Sequence, residues 1–569
     1  MPAIIQTAAF ASAKRIARCR RVHDRAGHWA SRMGAWPIED AGVPVGRPSM
    51  PGWVPRHRDT AGRIDEGLRY IMPESLDLHM QRWRAPTDDT PRAIWIEEAL
   101  ACDGALSPPL DATRRYQVCI VGGGFTGLWT AIRLREQDST LSIAILEADF
   151  CGAGASGRNS GAIGTWWSKL STLIRLVGKE DAVTILNASI AAVQDVEAFV
   201  NRHRVDCALR RGAAVWSATA PAQVGAWEAA FEAAEQVGLQ PPWRRLDEAQ
   251  LRCLYGERGP YLAGVIDDQA LRAQPAKLAR GLRAQALKMG VDIFERSPVT
   301  RITGRAERLH VHTRKGSVEC ERVVLAANAW MAHLPEFLPH IAVISSDIVA
   351  TEPIPALLAQ RGLLQRPHGV NSRLMLNYGG VTPDGRVYLG RGGGSIAFRG
   401  RIDRRFDWSA RQADEVRADF RYLYPELDDV PITRAWAGPI DRATTGLPWF
   451  GSLQACSSAY YGIGYSGHGV GASALGGRIL ASMVLGKRDE WIAVSNCLAR
   501  ARRGHFPPEP VRFVGGHIVR AAVARKEKAE REGRRPSRLD KALAGLAPAT
   551  ISEPGSVSRS AVTPAGNGS

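Results

Sequence analysis

Apolar positions recur with a clear period only in the middle of the chain. Residues 34–92 are dominated by Pro, Arg, Gly and Asp without sustained periodicity, which predicts a loosely ordered lead-in. The apolar run Tyr116 to Val121 reads as a buried strand, Gly122 to Gly127 as a turn, and Leu128 to Arg135 as a helix with Leu128, Ile132 and Arg135 at helical spacing. A second strand over 142–147 closes a βαβ unit of the length a dinucleotide fold requires. Val183, Leu186, Ile190, Val193, Val196 and Val200 share one face of an amphipathic helix over 181–202. Pro275 opens another helix, with Leu278, Leu282, Ala286 and Met289 on one stripe and Gly290 at its stop. Residues 291–295 predict a strand, and 309–313 with 318–326 a hairpin turning at Lys315-Gly316. Residues 341–435 mix short strands with turn residues, as in the antiparallel sheet of a separate module. Beyond Arg500 the chain is Pro-containing, then basic and helical over 518–531, then rich in Ser, Pro and Gly.

With 569 residues, two domains are expected. The net charge of +17 sits mostly in the flanks. Residues 1–79 carry 12 Lys/Arg against 8 Asp/Glu and residues 498–569 carry 14 against 6, so the flanks hold 12 of the 17 charges. That distribution points to solvated tails rather than to nucleic acid. Residues 1 to about 79 read as a disordered extension, or as sequence upstream of a start near Met72 or Met80. The nine cysteines fall into no metal-binding spacing, so no metal is expected and the thiols read as reduced, in a cytoplasmic protein. The apolar stretch around 464–485 is interrupted by His468 and Arg478, so no membrane partner is expected.

Gly122, Gly124 and Gly127, with Phe125 and Thr126 between them, form GxGxxG. The first Gly permits a tight turn, the second lets backbone approach a pyrophosphate, and the third allows close helix–sheet packing. The helix start then receives the phosphate charge. Glu147, twenty residues beyond Gly127 at a strand end, is placed to accept from a ribose diol and disfavours a 2′-phosphate. Two more glycine loops, 152–161 and 462–470, lie far from the first, as an extended flavin nucleotide needs. The helix after the last can direct its positive end at the flavin pyrimidine.

The segments VCIVGGGFTGLWTAIRL (118–134), GAGASGRNSG (152–161), VVLAANAW (323–330) and GIGYSGHGVGASALGGRILA (462–481) together resemble the D-amino-acid oxidase-like superfamily of FAD-dependent oxidoreductases, and within it the gamma-glutamylputrescine oxidase-like branch. The resemblance covers roughly residues 95–490. It implies an α/β fold, α+β over the whole chain, with a discontinuous Rossmann-like FAD-binding domain of the D-amino-acid oxidase/glutathione reductase type and an antiparallel-sheet substrate domain. The FAD-binding parts would be 93–204, 271–340 and 436–495, the substrate parts 205–270 and 341–435. Residues 1–92 would be the N-terminal extension and 496–569 a basic helix with a disordered tail.

FAD is the implied cofactor. Its contacts would be the first loop, Glu147, Gly157, Arg158, Asn159, Ser160 and Gly161, then Val299, Ala327, Gly464, Gly467, His468 and Gly469. The implied chemistry is hydride transfer from the C–H next to an amine onto flavin N5, followed by imine hydrolysis. The partners would be a small amine or amino acid and O2, or another acceptor if the enzyme is a dehydrogenase. A flavin module acting on RNA through the basic flanks is the alternative of a different class. Candidate substrate or flavin contacts are His468, Arg373, Tyr378 and Asp441, besides Arg158 and Asn159. Arg373 and Tyr378 could equally be surface residues of a sheet, Asp441 a local partner of Arg442, and Arg158 could grip a carboxylate.

Overall fold

The computed structural model describes residues 75–84, 90–103, 105–501 and 504–548, which belong to one compact unit, Pro73–Ser569. Its nine-stranded sheet contains a parallel core. In spatial order this core runs Asp292–Phe294, Ile143–Leu146, Thr113–Val121, Ser317–Leu325 and Cys456–Ile463. Ser317–Leu325 shares its outer edge between two partners. Its first half pairs antiparallel with Arg308–His312 and its second half parallel with Cys456–Ile463.

Val118 to Val121 and Ile143 to Leu146 are buried at every position, as expected where both faces of a parallel sheet are covered. On one face lie Phe125–Gln137, Pro275–Lys288 and Gly469–Val484, packed together with Lys179–His203. The last of these is apolar and long enough for a membrane span by composition, but its Ile185, Leu186, Val196 and Phe199 are buried in this core. Pro275 stands in the first turn of its helix, and the Gln274 side chain caps it, accepting from Lys277 N at 2.7 Å.

The eight-stranded sheet runs Ile432–Ala443, Ile341–Thr351, Val387–Arg391, Asn377–Val381, His368–Asn371, Ala214–Ala218, Ala263–Asp267 and Trp243–Leu246. Its pairings are antiparallel except the one between His368–Asn371 and Ala214–Ala218. Directly paired residues share a face, and the two faces differ in chemistry. Ile344, Ser346, Ile348, Tyr378, Trp436, Gly438 and Ile440 lie on one. Ser345, Asp347, Arg391 and Asn377 lie on the other.

Two expectations need correction at the ends. The lead-in predicted to be unstructured contains a strand, Leu76–His79, which pairs with Arg301–Gly304; residues 1–74 lie outside the described residues. The basic C-terminal region is no solvated tail as far as residue 548. Its helix begins earlier than the charge pattern shows, at Val511, and runs to Arg531. It docks against the helix Ala410–Leu423 and the loops at 373–375 and 393–396, with four of its cations paired, Arg520 to Glu415, Arg531 to Asp419, Lys526 to Glu530 and Arg525 to Asp540. Residues 549–569 lie outside the described residues.

Candidate active site

Five parallel strands deliver their carboxyl ends to the same edge of the sheet, the position at which open α/β sheets hold ligands. Gly122 follows Val121, Glu147 follows Leu146, Glu295 to Val299 follow Phe294, Ala326 to Asn328 follow Leu325, and Gly464 to Gly469 follow Ile463. Hydrogen bonds tie the glycine loops together. Gly152 N donates to Gly123 O at 3.1 Å and Phe125 N to Ser156 Oγ at 2.9 Å, joining the first loop to the second. Thr126 Oγ1 donates to Tyr465 OH at 2.9 Å, joining the first to the third.

Within the first loop the glycines have distinct physical reasons. Gly122 has φ +111°, and a Cβ there would meet Ala326 O at 2.7 Å. A Cβ on Gly127 would stand 2.0 Å from Gly122 O. Gly124 is open by comparison, with only Ser156 Oγ at 3.0 Å. Glu147 is buried and accepts from Gly123 N at 2.6 Å and Asp149 N at 3.0 Å. Desolvation nevertheless pushes its carboxyl up to about 7. Val299 is buried in the stretch beside it, where Ser297 N donates to Glu147 O at 2.8 Å. Ala327 lies against Gly122.

In the second loop the structure corrects the roles given to side chains. Arg158 takes the carboxylate that was its alternative reading rather than a substrate: its guanidinium pairs with Asp407 at 2.6 Å and donates to Ala153 O at 2.9 Å. Asn159 spends its side chain on its own loop, donating to Ala155 O and Ser156 O and accepting from Gly161 N. Gly157 and Gly161 are required by packing, since a Cβ would fall 2.4 Å from Gly152 O and 1.8 Å from Ala273 O respectively. Ser160 offers its carbonyl to Tyr388 OH at 3.4 Å. The loop's anchor lies elsewhere, in Glu295, which accepts from Cys151 N at 2.7 Å and pairs with Arg280 and Arg283.

The third loop is held from behind by Asp441. Its carboxylate accepts from Gly464 N at 2.5 Å, Tyr465 N at 3.1 Å and Ser466 N at 3.3 Å. The reading of Asp441 as a substrate contact, or as a local partner of Arg442, is therefore corrected: it shapes the loop. Burial raises it to about 6 against the pull of those amides. Gly464, at φ +90°, packs on Trp449. Gly467 is exposed, also at φ +90°, with Ile440 as its nearest neighbour, and Gly469 opens the helix Gly469–Val484. Between them His468 is held near 3 by desolvation, with Lys169 and Arg442 adding to the effect. It is a neutral imidazole at physiological pH. Its Nδ1 has no partner among the described residues, and neither has Asn328 Oδ1 on the neighbouring strand end. Two orphaned polar atoms and the backbone of Gly124 and Gly467, where a Cβ would meet nothing closer than 3.0 Å, fit a polar ligand lying along this edge.

Of the sheet residues proposed to face substrate, Tyr378 lies on the face whose Gly438 neighbours Arg158 and whose Ile440 neighbours Gly467. Its hydroxyl is 2.7 Å from Ser346 Oγ on the same face, and burial keeps the phenol protonated. Arg373 is a correction. It is buried and satisfied by Glu527 at 2.8 Å and Asp419 at 2.9 Å, and it donates to Asn377 on the opposite face. No signal in the sequence announced its partner, which lies more than 150 residues away. Lys169, Arg442, Ser346 and Glu295 were missed because each is defined by what folding brings beside it. Among the described residues no cluster of His, Cys, Asp and Glu could hold a metal.

The family model described as DAO, FAD dependent oxidoreductase, matches residues 117–483. The chain belongs to this family of FAD-dependent oxidoreductases. Among curated proteins it is 29% identical to a probable oxidoreductase OrdL of Haemophilus influenzae, over 68% of this chain and 86% of that one. It is 28% identical to the gamma-glutamylputrescine oxidoreductase of Escherichia coli, over 75% of this chain and 91% of the relative. Among solved structures, glycine oxidase from Geobacillus kaustophilus superposes with a TM-score of 0.54 at 21% identity, covering 66% of this chain and 96% of that one. This likeness shows the fold. The family's flavin is consistent with the geometry of the strand-end edge.

Proposed function

We propose that this chain binds FAD across the five strand ends and oxidises the C–N bond of a small amine or amino acid, with O2 as acceptor, in the cytoplasm. The observation that supports it most is the meeting of three glycine loops, far apart in sequence, on one strand-end edge of a chain in an FAD-dependent family. The E. coli and G. kaustophilus names support the amine and amino-acid class, and the free thiols suit a reducing compartment. When bound, the flavin supplies the hydride acceptor.

The chain's own residues bind and orient. The first loop and the start of Phe125–Gln137 receive the diphosphate, and Glu147 receives the ribose hydroxyls. The open backbone of 467–469 and the head of Gly469–Val484 receive the pyrimidine edge. The face bearing Ser346, Tyr378, Ile344 and Ile440 closes the substrate side, its aliphatic groups excluding water and its hydroxyl pair orienting the amine. Pairing of Arg520, Arg525, Lys526 and Arg531 within the fold favours this reading over an RNA-directed one.

The test is an anaerobic screen of polyamines, gamma-glutamylated amines, N-methyl amino acids and D-amino acids against the purified yellow protein. A substrate bleaches the flavin band, and air then yields peroxide. Protein that cannot be loaded with FAD would defeat the proposal, and bleaching with dye reduction but no peroxide would replace O2 by another acceptor. For Tyr378→Phe, loss of one neutral hydrogen bond should raise KM roughly 3- to 10-fold with kcat less affected.

Glu147 gives a pH test with a definite sign. Its carboxyl is raised to about 7 in the ligand-free protein, whereas accepting from a ribose diol favours the ionised form. FAD affinity should therefore fall as pH drops below 7, by up to about tenfold per pH unit. Fluorescence titrations of apoprotein from pH 6 to 8.5 check it, and Glu147→Gln should flatten the profile.

A further inference from the structure

Residues 504–548 lie beyond the family match, which ends at 483, yet they are tied to the loops that flank the strands of the eight-stranded sheet. Phe506 N donates to Pro339 O at 2.8 Å, and Arg512 Nη1 to Leu338 O at 2.7 Å. Farther along the helix, Glu527 takes Arg373 and also accepts from Met375 N at 2.9 Å. Arg520 Nε reaches Gly393 O at 2.6 Å. The chain then folds back through the helix Arg538–Ala544, whose Ala544 packs with Val523 and Met375.

Just after that helix, Pro548 O accepts from Arg442 Nη2 at 3.2 Å, while Arg442 Nη1 donates to Ser466 O at 3.1 Å. Arg442 is 5% exposed and directly follows Asp441, the residue that grips the amides of 464–466. A buried guanidinium shared between two carbonyls links whatever carries those carbonyls, because freeing either one leaves charged N–H groups without a partner.

We propose that the segment 504–548 is a strap that positions the third glycine loop, with Arg442 as the positioning residue between them. The strap fixes the end of the strand Ile432–Ala443 from the outside, and Arg442 passes that constraint to Ser466, two residues before His468. This inference rests on the third loop facing the flavin only for its effect on cofactor retention. The clasp itself is a statement about loop order.

The experiment compares the full chain, a variant ending at Gly545, Arg442→Met, and the two combined. Hydrogen exchange at the amides of 464–466 and FAD retention are both read. Each single change should speed exchange at those amides and weaken FAD by roughly five- to tenfold. The combined variant should be no worse than Arg442→Met alone, since both remove the same link. Exchange within twofold of the full chain after truncation, or two effects that multiply, would overturn the strap. A full chain that binds no FAD would defeat the functional proposal instead, and exchange would still decide the strap.

Discussion

Glu295→Ala is expected to destabilise the protein by about 3–5 kcal/mol, the range for removing one partner from a buried ion pair. Glu295 is fully buried and its two oxygens are completely used. Oε1 accepts from Arg280 at 2.8 Å, Arg283 at 3.1 Å and Cys151 N at 2.7 Å; Oε2 accepts from Arg283 at 2.9 Å and Ser107 N at 2.6 Å. Alanine would leave two cations and two backbone amides without this acceptor. Arg280 keeps Asp103 at 2.9 Å, which softens the loss on that side. Arg283 keeps Ser107 Oγ at 2.8 Å, a neutral group that cannot replace the carboxylate. Urea denaturation of the variant measures the loss, and a change below about 1 kcal/mol would mean the network carries no net stability. Because Cys151 N leads into the second glycine loop, the same variant should also lose flavin content. Glu295→Gln, which keeps an acceptor oxygen, should fall between the variant and the parent.

The same residue shows what the sequence could and could not disclose. The strand leading into Glu295 was legible from its apolar run, as were the first βαβ unit and the helix opened by Pro275, since these depend on local period and on Pro and Gly at fixed offsets. The strand-end edge was legible too, because glycines needed at a tight turn must appear as glycines. What escaped were roles set by partners distant in sequence. Arg373 and Asp441 stood out as polar residues in the right segments, yet one turns to Glu527 and Asp419 and the other to the amides of 464–466. Alternation along a strand tells which residues share a face, but not which face meets the cofactor. The charge on the C-terminal helix was misleading for a related reason: Arg520 and Arg531 find acidic partners on the helix Ala410–Leu423, about a hundred residues earlier.

Two glycines three residues apart should separate folding from cofactor binding. In Gly127→Ala the new Cβ would lie 2.0 Å from Gly122 O, a backbone atom fixed between strand and helix. The helix Phe125–Gln137 must shift away, at a cost of about 1–3 kcal/mol for overpacking, and flavin binding should be lost with it. Gly124→Ala meets only the Ser156 hydroxyl at 3.0 Å, which a small side-chain rotation can relieve, so its melting temperature as apoprotein should stay within a few degrees of the parent. Its Cβ nevertheless projects where the diphosphate must approach the backbone, and FAD affinity should fall by at least about 100-fold, the equivalent of roughly 2.7 kcal/mol. Melting of the apoproteins together with FAD titration checks both. Should Gly124→Ala bind FAD as tightly as the parent, the diphosphate would not lie over the first loop, and the geometry of the proposed site would have to be redrawn from Glu147 outward.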